Sequence, residues 1–204
     1  MSEPEGLGDI LHKLRTYQLH TIPRDAEVVL SVGCSGMHYF KWFHEHYRKP
    51  TLHIGVEYYR DAPPDIPAGI TWLRENCCDM PGVPDASVDL LFSGQNVEHL
   101  WPDEVLGYFK EAYRVLRPGG YLVMDSPNRE VTRLANWSHW GHTVEYTVSE
   151  AEELTRLAGF DIVSATGLYL WRSPRDGKYL GLDADDYWTT ARRGFLGVAH
   201  PEHS

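Results

Sequence analysis

The chain has 204 residues, 42% hydrophobic and 24% charged, with a formal net charge of −10. That balance argues against disorder, and the length fits one α/β domain, with or without a small cap, better than two independent domains. The negative sign repels phosphate backbones and anionic bilayers, so nucleic acid and membrane are poor partners; the densest basic cluster, Arg172, Arg175 and Lys178, is small.

Leu7, Ile10, Leu11 and Leu14 recur at helical spacing and predict an amphipathic helix near residues 5–18, covering an edge of a sheet or the mouth of a site. Val28 to Val32 reads as a buried strand that breaks at Gly33 into a small-residue turn, and His38 to Tyr47 reads as a helix with Phe40, Phe43 and Tyr47 as its apolar stripe. Strand, tight turn and helix N-terminus together form a corner that suits a nucleotide, although two glycines three apart also occur wherever a loop must be tight. Leu52 to Val56 is a second strand ending on Glu57. The segment from Tyr58 to Gly69, with Pro63, Pro64 and Pro67, is a loop, and Ile70 to Leu73 is a third strand.

Val88-Asp-Leu-Leu-Phe92 has the continuous apolar pattern of a central parallel strand. Pro102 opens a helix with Val105, Tyr108, Phe109 and Ala112 on its buried face, stopped by Arg117-Pro-Gly-Gly120, and Tyr121 to Met124 is the next strand. Residues 126–148 have no clear period and read as a long functional loop or short cap. Ser149-x-x-Glu152 reads as a capping box opening a helix that closes at Gly159; Phe160 to Leu170 and Phe195 to Ala199 supply the last two strands. The organisation expected is an N-terminal helical cap over 1–26, a core over 27–166, and C-terminal strands with a possible substrate lid over 167–204, part of it from 172–194.

Three cysteines, two adjacent (Cys77, Cys78), cannot make a disulfide framework, and no charged-then-apolar leader opens the chain, so the cytoplasm is the expected location. No apolar run approaches the ~20 residues that span a bilayer. Among eleven histidines, His44-x-His46 and His139-x-x-His142 are the closest pairs, and neither has cysteines or carboxylates at a recognised ligand spacing, so no metal is expected. Trp137, Trp140, Tyr146, Tyr169 and Trp171 are read as core for at least half of them, or as a flat platform for a sugar or other ring.

Taken in order, Asp85-Ala-Ser-Val-Asp-Leu-Leu91, Glu98-His-Leu100, Ala112-Tyr-Arg-Val-Leu-Arg-Pro-Gly-Gly-Tyr-Leu-Val123 and a helix closed by Ala158-Gly-Phe160 resemble the class I S-adenosylmethionine-dependent methyltransferases, over roughly residues 27–166. The resemblance implies a Rossmann-like α/β sandwich with a mostly parallel seven-stranded sheet whose last strand is antiparallel, and helices on both faces. It implies S-adenosylmethionine as cofactor and S-adenosylhomocysteine as product. Gly33 and Gly36 match the turn packed against the cofactor's methionine half. Glu57 matches the acid that holds both ribose hydroxyls, a pairing of two acceptor oxygens with two adjacent donors. Tyr58 lies next along as a plate for adenine; Cys78, Asp79 and Met80 match the adenine pocket; Ser93 to Asn96 match the mouth where methyl meets acceptor.

The match departs where the family's first motif carries an acid and three alternate glycines: Ser31, Ser35 and Met37 stand at these positions. Methyl transfer from a sulfonium needs positioning, plus a base when the acceptor is a hydroxyl. His99 and His142 are the candidate bases, with Glu145 to orient His142, and Tyr39 is a candidate aromatic face toward the sulfonium. The expected function is methylation of a small-molecule or sugar hydroxyl by a monomer or homodimer. A noncatalytic binding or scaffold protein on the same fold, favoured by Ser31 and Met37, and a nicotinamide oxidoreductase are the alternatives.

Overall fold

A computed structural model describes residues 7–134, 136, 138–172 and 179–193. Helix α1 (Leu7–Gln18) precedes β1 (Val28–Val32), α2 (Met37–His46), β2 (Leu52–Val56), β3 (Ile70–Leu73) and β4 (Val88–Gly94). A 3₁₀ turn (Val97–His99) leads to α3 (Pro102–Val115), β5 (Leu116–Pro127), α4 (Arg129–Leu134), α5 (Val148–Leu157), β6 (Phe160–Arg172) and β7 (Tyr179–Arg193). The strands form one sheet in the order β3-β2-β1-β4-β5-β7-β6. Its first five members are parallel neighbours, and β7 runs antiparallel between β5 and β6.

The central strands carry unbroken apolar runs because both faces of the sheet are covered, so alternate residues feed two separate cores. Leu30, Leu91 and Leu122 pack on the α3 and α5 side with Tyr108, Phe109 and Phe160. Their neighbours Val29, Leu90, Phe92 and Val123 pack on the other side with Phe40, Phe43, Tyr47 and Trp188. Burying a large apolar side chain of this kind contributes about 1.5–3 kcal/mol. Gly55 permits a close fit on that second face: a Cβ there would lie 2.4 Å from Phe40 Cζ and 2.8 Å from Cys34 Sγ.

The motif around β4 and α3 works as scaffold. Asp89 Oδ2 accepts from the N–H groups of Glu27 and Val28, at 2.7 and 2.9 Å, and Asp89 Oδ1 pairs with Arg117 at 2.8 Å. Arg114 pairs with Asp85 and Glu111 and donates to the carbonyls of Met80 and Val83, pinning the 80–87 loop to α3. Gly120 has no room for a side chain, since a Cβ would meet the Arg117 carbonyl at 2.9 Å and the Asp89 carbonyl at 3.1 Å.

Three expectations change. The capping box falls two residues earlier, with the Thr147 hydroxyl accepting from the Glu150 N–H and the Glu150 carboxylate accepting from the Thr147 N–H; Thr147-x-x-Glu150 and Ser149-x-x-Glu152 both fit the pattern, and the earlier pair is used. The 126–148 segment contains α4, started by Asn128, whose side-chain oxygen accepts from the Glu130 N–H and whose carbonyl accepts from Val131 and Thr132. Finally, the last strand is β7, over much of the stretch read as a possible lid, while Phe195 to Ala199 lies outside the described residues.

Candidate active site

The carboxyl ends of β1, β2, β4 and β5 meet along one edge of the sheet, where open α/β sheets bind their ligands. The chain leaves β1 through Gly33, at φ +66°, then Ser35 at +47° and Gly36 at +151°. The Gly33 N–H still donates to the Val56 carbonyl at 3.0 Å. A Cβ on Gly33 would sit 2.7 Å from Asn96 Oδ1, so the post-β4 loop approaches the turn only because position 33 is bare.

Glu57 occupies the tip of β2 and is 7% exposed. Its Oε2 accepts from the Ser35 N–H and its Oε1 from the Tyr59 N–H, each at 3.0 Å, so one carboxylate clamps the turns after both strands. Arg60 adds a hydrogen bond to the Ser35 carbonyl at 2.7 Å. Tyr58 is exposed on this rim, its ring edge-on to that of Tyr59. Burial, reinforced by the charge of Glu57, pushes the Cys34 thiol up to about 12, so it stays protonated.

Asn76 shapes the 76–80 loop, its side-chain oxygen accepting from the Cys78 N–H and its carbonyl from the Asp79 N–H. Cys78 is half-buried and Asp79 exposed at the rim, whereas the Met80 side chain is fully buried in the core. The Met80 thioether therefore lies away from the rim of that loop. Asn96 Nδ2 lies 3.7 Å from Cys77 Sγ and links this loop to β4. Ser93, at the end of β4, is 1% exposed, and its hydroxyl has no hydrogen-bond partner among the described residues.

Several polar contacts here were not legible in the sequence. Asp125, fully buried at the end of β5, receives Arg15 from α1, with Nε to Oδ2 at 2.5 Å, and the Gln95 side chain at 3.0 Å. A Cβ on the neighbouring Gly94 would meet Arg15 Nη2 at 2.7 Å, so α1 reaches the carboxyl end of β4 through Arg15. Ser31 faces inward: its hydroxyl is 2.8 Å from His53 Nε2, and His53 Nδ1 is 3.0 Å from His44 Nε2. Met37 packs against the core on the α2 face. Tyr39 does the same, its ring against Phe40, Trp42 and Phe92, which removes it as a face for a sulfonium.

A second group lies beyond the 3₁₀ turn. The His99 and His142 rings sit 4.9 Å apart at 82°. His99 Nδ1 is 2.8 Å from the Gly141 carbonyl, and His142 Nδ1 is 2.7 Å from Glu145 Oε1, whose other oxygen takes the Thr132 hydroxyl. Both contacts place the proton on Nδ1 and the lone pair on Nε2. Burial lowers the His142 pKa below its ordinary value, against the raising effect of Glu145, so the ring is neutral at pH 7. Glu98, fully buried, accepts from the Ser126 hydroxyl at 2.9 Å. Trp140 is on the surface, 95% exposed and stacked on His139, and Tyr146 is half-buried against the core. Trp137 and the side chains of Tyr169 and Trp171 lie outside the described residues.

Residues 30–124 match the methyltransferase domain family. A Mycolicibacterium smegmatis protein named "Probable S-adenosylmethionine-dependent methyltransferase" is 35% identical over 96 residues, 46% of this chain and 36% of that protein. A Mycobacterium tuberculosis protein of the same name is 34% identical over 99 residues, 48% of this chain and 35% of that protein. The match thus spans about a third of the length of those relatives.

Among solved structures, a SAM-dependent methyltransferase from Archaeoglobus fulgidus superposes with a TM-score of 0.70 at 16% identity, over 90% of this chain and 93% of that one. A Burkholderia thailandensis 1,6-didemethyltoxoflavin-N1-methyltransferase, solved with bound 1,6-didemethyltoxoflavin and S-adenosylhomocysteine, gives 0.64 at 20% identity over 91% and 79%. The [4+2]-cyclase SpnF gives 0.63 at 14% identity over 94% and 85%, so the fold alone does not fix the reaction. Residues 30–124 thus carry the methyltransferase-domain match, and the fold of the chain is the one shared with S-adenosylmethionine-dependent methyltransferases. The mostly parallel seven-stranded sheet with its antiparallel β7 is the fold that the family resemblance implied.

Proposed function

We propose that this chain transfers the methyl group of S-adenosylmethionine to a hydroxyl oxygen of a small molecule or sugar. The observation that carries the reading is Glu57. A carboxylate offers about four lone-pair positions, and two are taken by the backbone, so acceptor capacity remains for two ribose hydroxyls. The donor set around it fits the cofactor: the bare Gly33 under Asn96, the orphaned Ser93 hydroxyl, and Cys78 and Asp79 on the rim beside Tyr58. Gly33, Gly36, Glu57, Tyr58, Cys78, Asp79, Ser93 and Asn96 would hold it, with Met80 shaping the loop from beneath.

The bound cofactor supplies a methyl group on a sulfonium, which leaves readily as a neutral thioether. The protein's part is then to align the acceptor and remove its proton. His142 suits the second step, because Glu145 fixes its tautomer and orientation and a ring neutral at pH 7 accepts a proton at Nε2. His99, held through Nδ1 and exposed, stands beside it toward solvent. The acceptor's small size rests on analogy with small-molecule relatives such as the toxoflavin enzyme. No helix among the described residues is long and apolar enough to cross a membrane, and the three free cysteines suit the cytoplasm, where the chain would act as monomer or homodimer.

A noncatalytic scaffold remains the second reading, favoured by Ser31, which uses its hydroxyl inside the core where the family carries an acid. Thermal unfolding with and without S-adenosylmethionine separates the two. At 100 times its dissociation constant the cofactor adds about 2.7 kcal/mol. The enzyme reading expects that stabilisation in the wild type and its loss in Glu57→Ala, each compared with its own ligand-free midpoint. Wild type showing no shift up to millimolar cofactor overturns it.

A further inference from the structure

We propose that Glu98, His99 and His142 form a binding site for a divalent first-row transition-metal ion, with Zn²⁺ or Mn²⁺ as its natural class of occupant. Each of the three can bring one ligand atom within 4.8 Å of those of the other two. No local spacing announces the group, because His142 comes from the loop before α5 while Glu98 and His99 share the 3₁₀ turn after β4. Two imidazoles and one carboxylate are the mixed nitrogen and oxygen set that borderline divalent ions take, and three protein ligands leave positions open for water or an acceptor oxygen.

The supporting contacts point the same way. In metal sites a ligating histidine gives its other ring N–H to a carboxylate or a backbone carbonyl, which fixes the tautomer and the plane of the ring. Here His142 has the Glu145 carboxylate at Nδ1, and His99 has the Gly141 carbonyl at Nδ1, so both lone pairs lie on Nε2. Glu145 is itself held by Thr132, and Glu98 by Ser126. His139 lies close, yet its Nδ1 accepts from the Gly141 N–H, which puts its proton on Nε2 and leaves it outside the set. Glu98 is buried and His99 exposed, so the group opens to solvent at one end and offers a charged carboxylate at the other.

The inference deepens the reading of His99 and His142 as the acceptor end of a methyltransferase, but the binding it asserts does not need the cofactor. With an ion on both rings the base role of His142 would be replaced: an acceptor hydroxyl bound to that ion is made more acidic and would give its proton to solvent water at the exposed end of the group.

The test is isothermal titration of the chelator-stripped full chain with Zn²⁺, Mn²⁺ and Mg²⁺ in turn, without S-adenosylmethionine. One equivalent of Zn²⁺ or Mn²⁺ should bind, more tightly than Mg²⁺, and affinity should fall as pH drops and the imidazoles protonate. His99→Gln and His142→Gln should each weaken binding at least ~100-fold and Glu145→Gln about 10–100-fold, while His20→Gln leaves it unchanged. The absorption spectrum of the Co²⁺-loaded wild type, with intense bands of a four- or five-coordinate ion rather than the weak bands of the aquo ion, checks the site without any variant. No binding below millimolar concentrations, or binding indifferent to both histidine substitutions, overturns the proposal. A chain that binds the metal but gains no stability from S-adenosylmethionine keeps this site and loses the methyltransferase reading; the reverse result keeps the reading and loses the site.

Discussion

His53 is fully buried between β1 and α2, bridging the Ser31 hydroxyl and the His44 ring, with Phe40 and Phe43 against its faces. Burial, with a smaller contribution from His44, pushes its pKa from an ordinary 6.5 down to about 3. A group depressed in the folded state binds protons only after unfolding across the interval between the two values, so it costs nothing above pH 6.5 and destabilises as pH falls toward 3. Between pH 6.5 and 5 the expected loss is about 1–2 kcal/mol, read as a falling urea midpoint. His53→Asn should flatten that dependence; equal slopes for variant and wild type would show that the ring titrates inside the folded protein. The same relay explains a departure from family pattern: Ser31 is polar because it serves His53, a requirement that no local pattern in β1 displays.

The fit of α2 on β2 depends on the absent side chain at Gly55. Gly55→Ala drives a methyl group into the Phe40 ring and Cys34, and overpacking of that kind costs about 1–3 kcal/mol. Combining it with Phe40→Leu should recover part of the loss, and strictly additive losses in a double-mutant cycle would show that the two do not compete for one space. Helix α2, β2 and the central strands were legible because an apolar stripe or run survives in the sequence. Strand β7 was not, since the acids at Asp183, Asp185 and Asp186 break its pattern just before Tyr187 and Trp188. Its partners β5 and β6 supply the pairing that its own composition conceals.

At the level of the molecule, Arg15 ties the N-terminal helix to the end of β5, across 110 positions of sequence. Asp125 is fully buried and Arg15 is mostly so, and removing one member of such a pair strands the other. Arg15→Ala should cost about 3 kcal/mol, less in an Asp125→Asn background; a change below 0.5 kcal/mol, roughly the size of an ordinary surface substitution, would mean that the helix is held by its apolar stripe alone. The motif spanning Asp85 to Gly120 pointed to the fold because its charges are structural, pairing Asp85 with Arg114 and Asp89 with Arg117. The candidate site was legible only in part: Glu57 and the glycine turn lie in the sequence order of the family, whereas His99, His142 and Glu98 meet through a loop closure that spacing does not reveal.

The double engagement of Glu57 bears on how fast a ligand is captured. Loops already fastened to their own carboxylate have little disorder left to surrender, so arrival of a nucleoside should require small adjustment and proceed at a rate set by diffusion and orientation. On the proposed reading, removing that carboxylate should slow association as well as weaken the grip, through the flexibility it releases in both loops, an outcome that stopped-flow binding of S-adenosylmethionine to Glu57→Ala would read.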